Sequence, residues 1–327
     1  LPYLRARDEV VHAPWPAETA LSLRDFPVRT VQVGVEIFCF DPAAGKSVPI
    51  LSLNDGGAGN SRSRHAGVRR GNWVFLSGQT AAGSDGVVPP ALNELRFWEG
   101  SPVEAQTEAV LQKLAALAEA AGSSLQRAVK AEVHIGHPRH YADMDRVWRR
   151  WFPNNPPARC VIPNVGFGAS NARIEIALTL LADDAPLKIE TIETSDAPEP
   201  FGHEPQAVKV GNLLFLSQQM ACDSKGLLLE GMSRHSEFPW YGQPGRAQTR
   251  LMIKNIAAIC EAAGSSLENV VRCARVFDDS RWFAESFAEW DSHFPKRKCT
   301  SIPLHLGGEL IVPGANVMFD VIAYVPD

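Results

Sequence analysis

The sequence of 327 residues lacks a basic surplus, a long apolar run and any CxxC pair among its six cysteines. A net charge of −5 does not supply the positive surface that phosphate backbones require, so we expect no nucleic-acid partner. The apolar stretches, such as residues 176–182, are far shorter than the ~20 residues that cross a bilayer. With no secretory segment and no disulfide or zinc pattern, these absences predict a cytoplasmic protein without a membrane partner.

An internal repeat is the main feature that is present. The segment GNWVFLSGQTA at residues 71–81 returns as GNLLFLSQQMA at 211–221, and EAAGSSL at 119–125 returns unchanged at 261–267. Repeats at a fixed offset indicate copies of one structural unit. The sequence therefore predicts two tandem copies of one domain.

The repeat divides the chain into three parts. We expect an N-terminal extension over residues 1–56, with a strand or hairpin in its alternating run at 28–40. Repeat 1 then covers residues 57–185 and the divergent repeat 2 covers 186–327, with a boundary in the turn-rich segment near Pro186.

Each repeat has the pattern strand, helix, strand, helix, strand, strand. The first helix carries an apolar stripe at helical spacing and stops at Gly122, as its copy stops at Gly264. The last two strands, 159–165 and 172–181, are expected to pair antiparallel around a turn near residue 167. The pattern predicts an α+β fold in which a mixed sheet carries two helices on one face.

That pairing would make Arg159 and Glu175 cross-strand neighbours. The guanidinium fork of arginine suits a carboxylate, and a nearby glutamate can hold a water or move a proton. Ser77, Gly78 and Gln79 end the first strand, where a small residue leaves backbone groups open to a ligand. From the residues alone, an ordinary surface ion pair is the simpler interpretation of Arg159 and Glu175.

The motifs SGQ, EAAG, PARC and IEI, in this order and spacing, resemble the RidA (YjgF-like) family of enamine and imine deaminases. The resemblance covers about residues 61–183 well and 203–327 less closely. It implies a fold similar to chorismate mutase, a trimer-like barrel with sites at clefts between domains, and catalysis without a metal or organic cofactor. We therefore expect three chains with six domains.

The resemblance also assigns roles. Arg159 would hold the substrate carboxylate and Glu175 would position the water that attacks the imine carbon, so that a carboxylate-bearing enamine or imine gives a ketone and ammonia. Arg64 stands where many members have a tyrosine. The residues expected to contact substrate are Ser77, Gly78, Gln79, Arg64 and Cys160.

Repeat 2 serves as a control. Alignment of its Ile-Pro pair with that of repeat 1 puts Cys299 at the position of Arg159, and alignment of the last strands puts Asp320 at that of Glu175. A shift of one or two residues would instead bring Arg297 or Lys298 to the arginine position. Repeat 2 is then either a degenerate copy, or a site with Cys299 as nucleophile near Asp320 and a histidine, His305 or His235.

Two further functions stay open. The chain could hydrolyse an amide or ring C–N bond with Cys299, although a small buried thiol is the simpler reading of that residue. It could also be a non-catalytic protein that binds a small metabolite. His134, His137 and His140 recur at three-residue intervals, but no carboxylate completes a metal-ligand set, so we do not expect a metal.

Overall fold

The computed structural model describes residues 47–50, 66–96, 98–233, 242–294, 299–306 and 308–326, together with the single residues Ala17, Thr19, Cys39 and Phe238. The expected strand at 28–40 lies outside the described residues. So do the side chain of His305 and the following candidates: Arg64, His235, Arg297 and Lys298.

Among the described residues, twelve strands and four α-helices follow the repeated order. The first sheet begins with β1 Ser47–Ile50, which comes from the predicted N-terminal extension and pairs with the next strand along the chain. Repeat 1 contains β2 Gly67–Arg70, β3 Trp73–Gln79, α1 Pro102–Ala120, β4 Ala128–Ile135, α2 Tyr141–Trp151, β5 Ala158–Pro163 and β6 Ile174–Leu181. Repeat 2 contains β7 Ile189–Ile192, β8 Ala207–Val210, β9 Leu213–Leu216, α3 Pro244–Ala262, β10 Val270–Phe277, α4 Phe283–His293, β11 Thr300–His305 and β12 Val317–Tyr324.

The strands form two six-stranded mixed sheets with the same topology. The orders are β1-β2-β3-β6-β4-β5 and β7-β8-β9-β12-β10-β11. The predicted α+β fold with two tandem domains is confirmed.

The expected pairing of β5 with β6 is wrong. Strand β5 pairs in parallel with β4, and β6 lies on the other side of β4, antiparallel to it. The reason is that α2 returns the chain to the start of the sheet before β5 begins, which is the usual way to join parallel neighbours. Strand β4 therefore separates the two strands that carry Arg159 and Glu175.

The long helices begin and end for local reasons. The hydroxyl of Ser101 accepts a hydrogen bond from the backbone N–H of Val103 and caps α1. After α1 and α3 the chain turns through Gly122 (φ +71°) and Gly264 (φ +80°), a region that favours glycine. The glycine stops expected from the sequence are confirmed.

Each repeat has its own core between sheet and helices. In repeat 1 the core includes Leu114 and Trp148, and in repeat 2 it includes Ile256 and Trp290. A further buried cluster mixes the two repeats, since Cys160 of β5 packs in the same cluster as Met318 of β12. The two sheets thus share an interior on the faces away from the helices. No helix among the described residues is long and apolar enough to cross a membrane.

Strand register corrects the alignment of the copies. Arg159 lies opposite Ala131, and in repeat 2 it is Ser301 that lies opposite the matching Cys273. Placing Cys299 at that position was wrong by two residues.

The last strands show a similar shift. Glu175 lies opposite His134, and its counterpart opposite Val276 is Met318, so the expected match to Asp320 was also wrong. A slip of two residues keeps the same face of a strand, which is why hydrophobic alternation did not reveal either error.

Candidate active site

Glu175 lies directly over Gly78 at the end of β3. The β3–β6 register shifts between Leu76 and Gln79, so the chain bulges at this point. A Cβ atom at Gly78 would overlap Oε1 of Glu175, and the carboxylate is largely buried. The absence of a side chain at Gly78 therefore lets a carboxylate rest against the backbone of β3, an arrangement that can hold and orient a water.

The backbone around Gly78 is tied to the N-terminal region. Its N–H donates to Oγ1 of Thr19 at 3.1 Å. In repeat 2 the matching N–H, that of Gln218, donates to the carbonyl oxygen of Arg159 at 2.9 Å. In repeat 1 the hydrogen-bond acceptor for this N–H is therefore the Thr19 hydroxyl, whereas in repeat 2 it is a backbone carbonyl of β5.

Arg159 belongs to a different cluster, at the junction of the two repeats. Its side chain is fully buried, and Nη2 lies 2.6 Å from Oδ1 of Asp145 and 2.5 Å from Oε2 of Glu204. Its Nε donates to the same oxygen of Glu204 at 3.0 Å, and Tyr141 Oη accepts at 3.2 Å. The guanidinium is saturated by the side chains of the protein.

The electrostatics follow from burial and pairing. Burial raises the pKa of Glu204 more than Arg159 lowers it. Burial alone would lower the pKa of Arg159, but the Glu204 and Asp145 carboxylates raise it above its ordinary value. The ionised pair holds α2 and β5 of repeat 1 against the segment before β8 of repeat 2.

The residues that follow β9 also lie at the junction of the two repeats. Arg159 donates its backbone N–H to the Ser217 hydroxyl at 3.1 Å. Gln218 accepts from the N–H of Val161 at 2.8 Å, and its Nε2 donates to Oε1 of Glu204 at 3.2 Å. The Gln218 side chain thus links β9 to β5 and to Glu204, whereas Gly78 has no side chain with which to make such bonds in repeat 1.

The structure does not bring Arg159 and Glu175 together. Arg159 faces α2, whereas Glu175 points to the opposite face of the sheet. The two residues lie on strands that are separated by β4, and their partners on β4, Ala131 and His134, are three residues apart. The strand spacings put their Cα atoms roughly 14 Å apart. The two residues therefore cannot contact one small substrate within a single repeat.

Asp320 belongs to an ionic network that also joins the repeats. Lys130 Nζ lies 2.5 Å from Oδ1, and Arg272 Nη1 lies 2.5 Å from Oδ2. Burial would raise the pKa of Asp320, but these two cations lower it overall. Arg272 also lies 3.6 Å from Glu132 of repeat 1.

Cys299 is not brought to Asp320. It packs against the helix-side core of repeat 2, whereas Asp320 alternates with the residues of β12 that build that core and so faces the other way. Burial raises the pKa of the Cys299 thiol, and the nearby Arg275 lowers it less. This surrounding disfavours the thiolate that a nucleophile needs.

The remaining candidates are bonded to backbone groups or enclosed in the interior, and among them His134 of β4 lies opposite Glu175. Gln79 donates to the carbonyl oxygen of Ser77 at 3.1 Å, and Cys160 is buried in the shared interior, where burial raises its pKa. His134 is fully buried and His140 is largely so, and burial lowers the pKa of each to about 4. Across the part of the chain that the structure describes, no group of three His, Cys, Asp or Glu could hold a metal ion.

Sequence reasoning missed Glu204 as the partner of Arg159. A signal was present, because Glu204 stands three residues before β8 as Arg64 stands three residues before β2. The two copies therefore carry opposite charges at matching positions, a difference that indicates separate roles.

Comparisons with known proteins agree with the duplication. The family model described as Endoribonuclease L-PSP matches residues 61–181 and again 194–325. A RutC family protein of Pyrococcus horikoshii is 34% identical over 110 residues, which cover 33% of this chain and 78% of that protein. The 2-iminobutanoate/2-iminopropanoate deaminase of Salmonella typhimurium is 30% identical over 121 residues, which cover 35% and 84%.

A solved structure is also similar to part of the chain. The crystal structure of RidA from the Antarctic bacterium Psychrobacter sp. matches with 30% identity and a TM-score of 0.35, over 42% of this chain and 99% of that one.

Proposed function

The chain belongs to the Endoribonuclease L-PSP family, and from that premise we propose that it hydrolyses a carboxylate-bearing enamine or imine to a ketone and ammonia. A relative named as a 2-iminobutanoate/2-iminopropanoate deaminase supports this reaction class. The observation that carries the proposal is the Glu175 carboxylate lying over the side-chain-free Gly78.

In the proposed reaction an enamine first tautomerises to its imine. Glu175 accepts a hydrogen bond from a water and directs its oxygen to the imine carbon, where a C–O bond forms. The nitrogen is protonated and leaves as ammonia when the C–N bond of the tetrahedral intermediate breaks, and the second proton of the attacking water leaves the oxygen to give the ketone. Glu175 contributes by orienting the water and moving protons, effects worth typically 10²–10⁴-fold.

A cation at this edge would hold the substrate carboxylate, and we assign that role to Arg64. In repeat 2 the matching Glu204 reaches Gln218, the counterpart of Gly78, at 3.2 Å. Arg64 stands in the sequence at the position that matches Glu204, and a guanidinium suits a carboxylate.

Arg159, the residue that the resemblance assigns to the carboxylate, lies instead at the junction of the two repeats, bonded to Glu204. A substrate could bind to it only in place of Glu204. We therefore expect Arg159 to act on the stability of the junction, and the experiment below separates this role from catalysis.

The experiment is to generate 2-imino acids in situ with an amino acid oxidase and to follow their decay. Glu175→Gln is expected to lower kcat/KM at least about 100-fold, because the amide cannot accept a proton. Gly78→Ala is expected to lower it similarly, since the new Cβ displaces the carboxylate.

Cys299→Ser and Arg159→Met are the controls. Activity per folded molecule is expected to stay within about threefold of wild type in both, because neither side chain lies at the Glu175 edge. Full activity in Glu175→Gln would reject the proposed site, and loss of activity in Cys299→Ser would favour the thiol hydrolase.

The three-chain assembly also stays a prediction, and light scattering tests it. A monomer would contradict it and would indicate that the N-terminal region, through contacts such as that of Thr19, replaces a neighbouring domain.

A further inference from the structure

Repeat 2 contains a second buried arginine that the proposed reaction does not use. Arg275 lies on β10 and is 2% exposed. Its Cζ atom lies 5.7 Å from the ring centre of Phe283 and 5.1 Å from that of Phe287, both on α4. The guanidinium is thus held against the helix on the helix side of the sheet.

Arg275 takes the place in repeat 2 that Arg159 takes in repeat 1. The Cζ atom of Arg159 lies 5.6 Å from the ring of Tyr141, the counterpart of Phe283. The arginine is supplied by the neighbouring strand, while the residue at the Arg159 position, Ser301, accepts from Nε of Arg275 at 2.9 Å. The guanidinium group therefore comes from β5 in repeat 1 and from β10 in repeat 2, but it lies at matching places in the two repeats.

The surroundings of the two guanidinium groups differ in charge. Asp145, which pairs with Arg159, is replaced in repeat 2 by Phe287, and within the described part of the chain no carboxylate takes beside Arg275 the place that Glu204 takes beside Arg159. Among the described residues no carboxylate lies within 4.0 Å of Arg275, and its Nη1 has no hydrogen-bond partner. Asp291 of α4 attracts Arg275 only from a longer distance, so an anion that binds directly to the guanidinium gains a contact that the described residues do not supply.

The site lies close to the surface. Asp145 of repeat 1 is buried, and its neighbour Tyr141 contacts Phe201 of the segment before β8, with ring centres 5.5 Å apart. Phe287, the counterpart of Asp145, is 41% exposed. The ring that lies 5.1 Å from the Arg275 guanidinium is therefore itself in contact with solvent.

We propose that Arg275, Ser301 and the rings of Phe283 and Phe287 form a binding site for a small carboxylic acid with an apolar substituent. The protein itself provides the precedent for the ligand, because the matching guanidinium in repeat 1 is occupied by the carboxylate of Glu204. The two phenyl rings favour an aromatic or aliphatic substituent beside the charge. The site is independent of Glu175 and of the proposed deaminase reaction.

The test is calorimetric titration of the whole chain with phenylacetate, which has a carboxylate and no imine or ketone. Binding is expected to saturate below about 10 mM, whereas the neutral isostere phenylacetamide is expected not to bind. Arg275→Met is expected to weaken the affinity at least about tenfold. Glu175→Gln is expected to leave it unchanged.

Arg281→Met is the matched control, since Arg281 is exposed and paired with Asp279 at 2.5 Å. Phe287→Asp provides a second test that does not remove the buried arginine, because it copies Asp145 and should fill the site with an internal carboxylate. Wild-type affinity in Arg275→Met or in Phe287→Asp, equal binding of phenylacetamide, or no binding by wild type would each overturn the proposal.

Discussion

Arg159 and Arg275 are buried at matching places in the two repeats, yet they have opposite surroundings. Arg159 has two carboxylates, a tyrosine hydroxyl and a neighbouring repeat around it. Arg275 has two phenyl rings and one serine hydroxyl. One fold can therefore use the same guanidinium position to join domains in one copy and, as we propose, to bind a ligand in the other.

The largest effect is expected from removing the saturated arginine. Arg159→Met should lower the free energy of unfolding by about 3–5 kcal/mol, because Glu204 is left buried without its cation and Asp145 keeps only its bond to Arg149 at 2.8 Å. Arg275→Met should change it far less, since no carboxylate loses a partner. Urea unfolding of both variants measures the contrast.

The double variant Arg159→Met, Glu204→Met should recover part of the loss, since it removes the stranded carboxylate as well. Equal destabilisation by Arg159→Met and Arg275→Met would contradict the comparison.

A smaller effect is expected from a histidine that only repeat 1 carries. The pKa of His134 is about 4 in the folded protein against an ordinary 6.5, because burial disfavours the charged ring. The unfolded chain therefore binds a proton that the folded chain does not, and stability falls as the pH drops from 6.5 to 4. The shift corresponds to about 3 kcal/mol over that range.

His134→Val, which introduces the residue found at position 276 of repeat 2, removes this contribution. Unfolding at pH 7 and pH 4 should show a smaller acid loss in the variant than in wild type. The same acid loss in both would show that His134 takes up its proton in the folded state.

The smallest effect is expected at the hydroxyl beside Arg275. Ser301→Ala removes the hydrogen bond from Nε and should lower the free energy of unfolding by about 1 kcal/mol. Ser301→Thr keeps the hydroxyl and is the control. A loss as large as that of Arg159→Met would mean that Arg275 also holds the fold together.

The sequence allowed the duplication, the helices and their glycine ends to be predicted, because each depends on local periodicity or on backbone conformation. Strand order was not predictable in the same way. Both β5 and β6 are apolar strands joined by a turn, and their pattern does not reveal that β4 lies between them.

The same distinction applies to the residues of the candidate site. Gly78 and Glu175 were identified from motifs near the ends of two strands. Glu204 was missed because its contact with Arg159 spans the two repeats, although the charge reversal against Arg64 indicated a difference. Contacts between residues far apart in sequence depend on topology, which local patterns do not specify.

The bond between Lys130 and Asp320 has a consequence for how such a protein can evolve. By position, Lys130 corresponds to Arg272 and Asp320 to Ala177, so the reciprocal contact would lack its acid. In a ring of identical subunits every interface has the same two surfaces, and a substitution changes all of them at once. Fusion of two copies removes that constraint, so each side of the junction can acquire residues that its sister does not share.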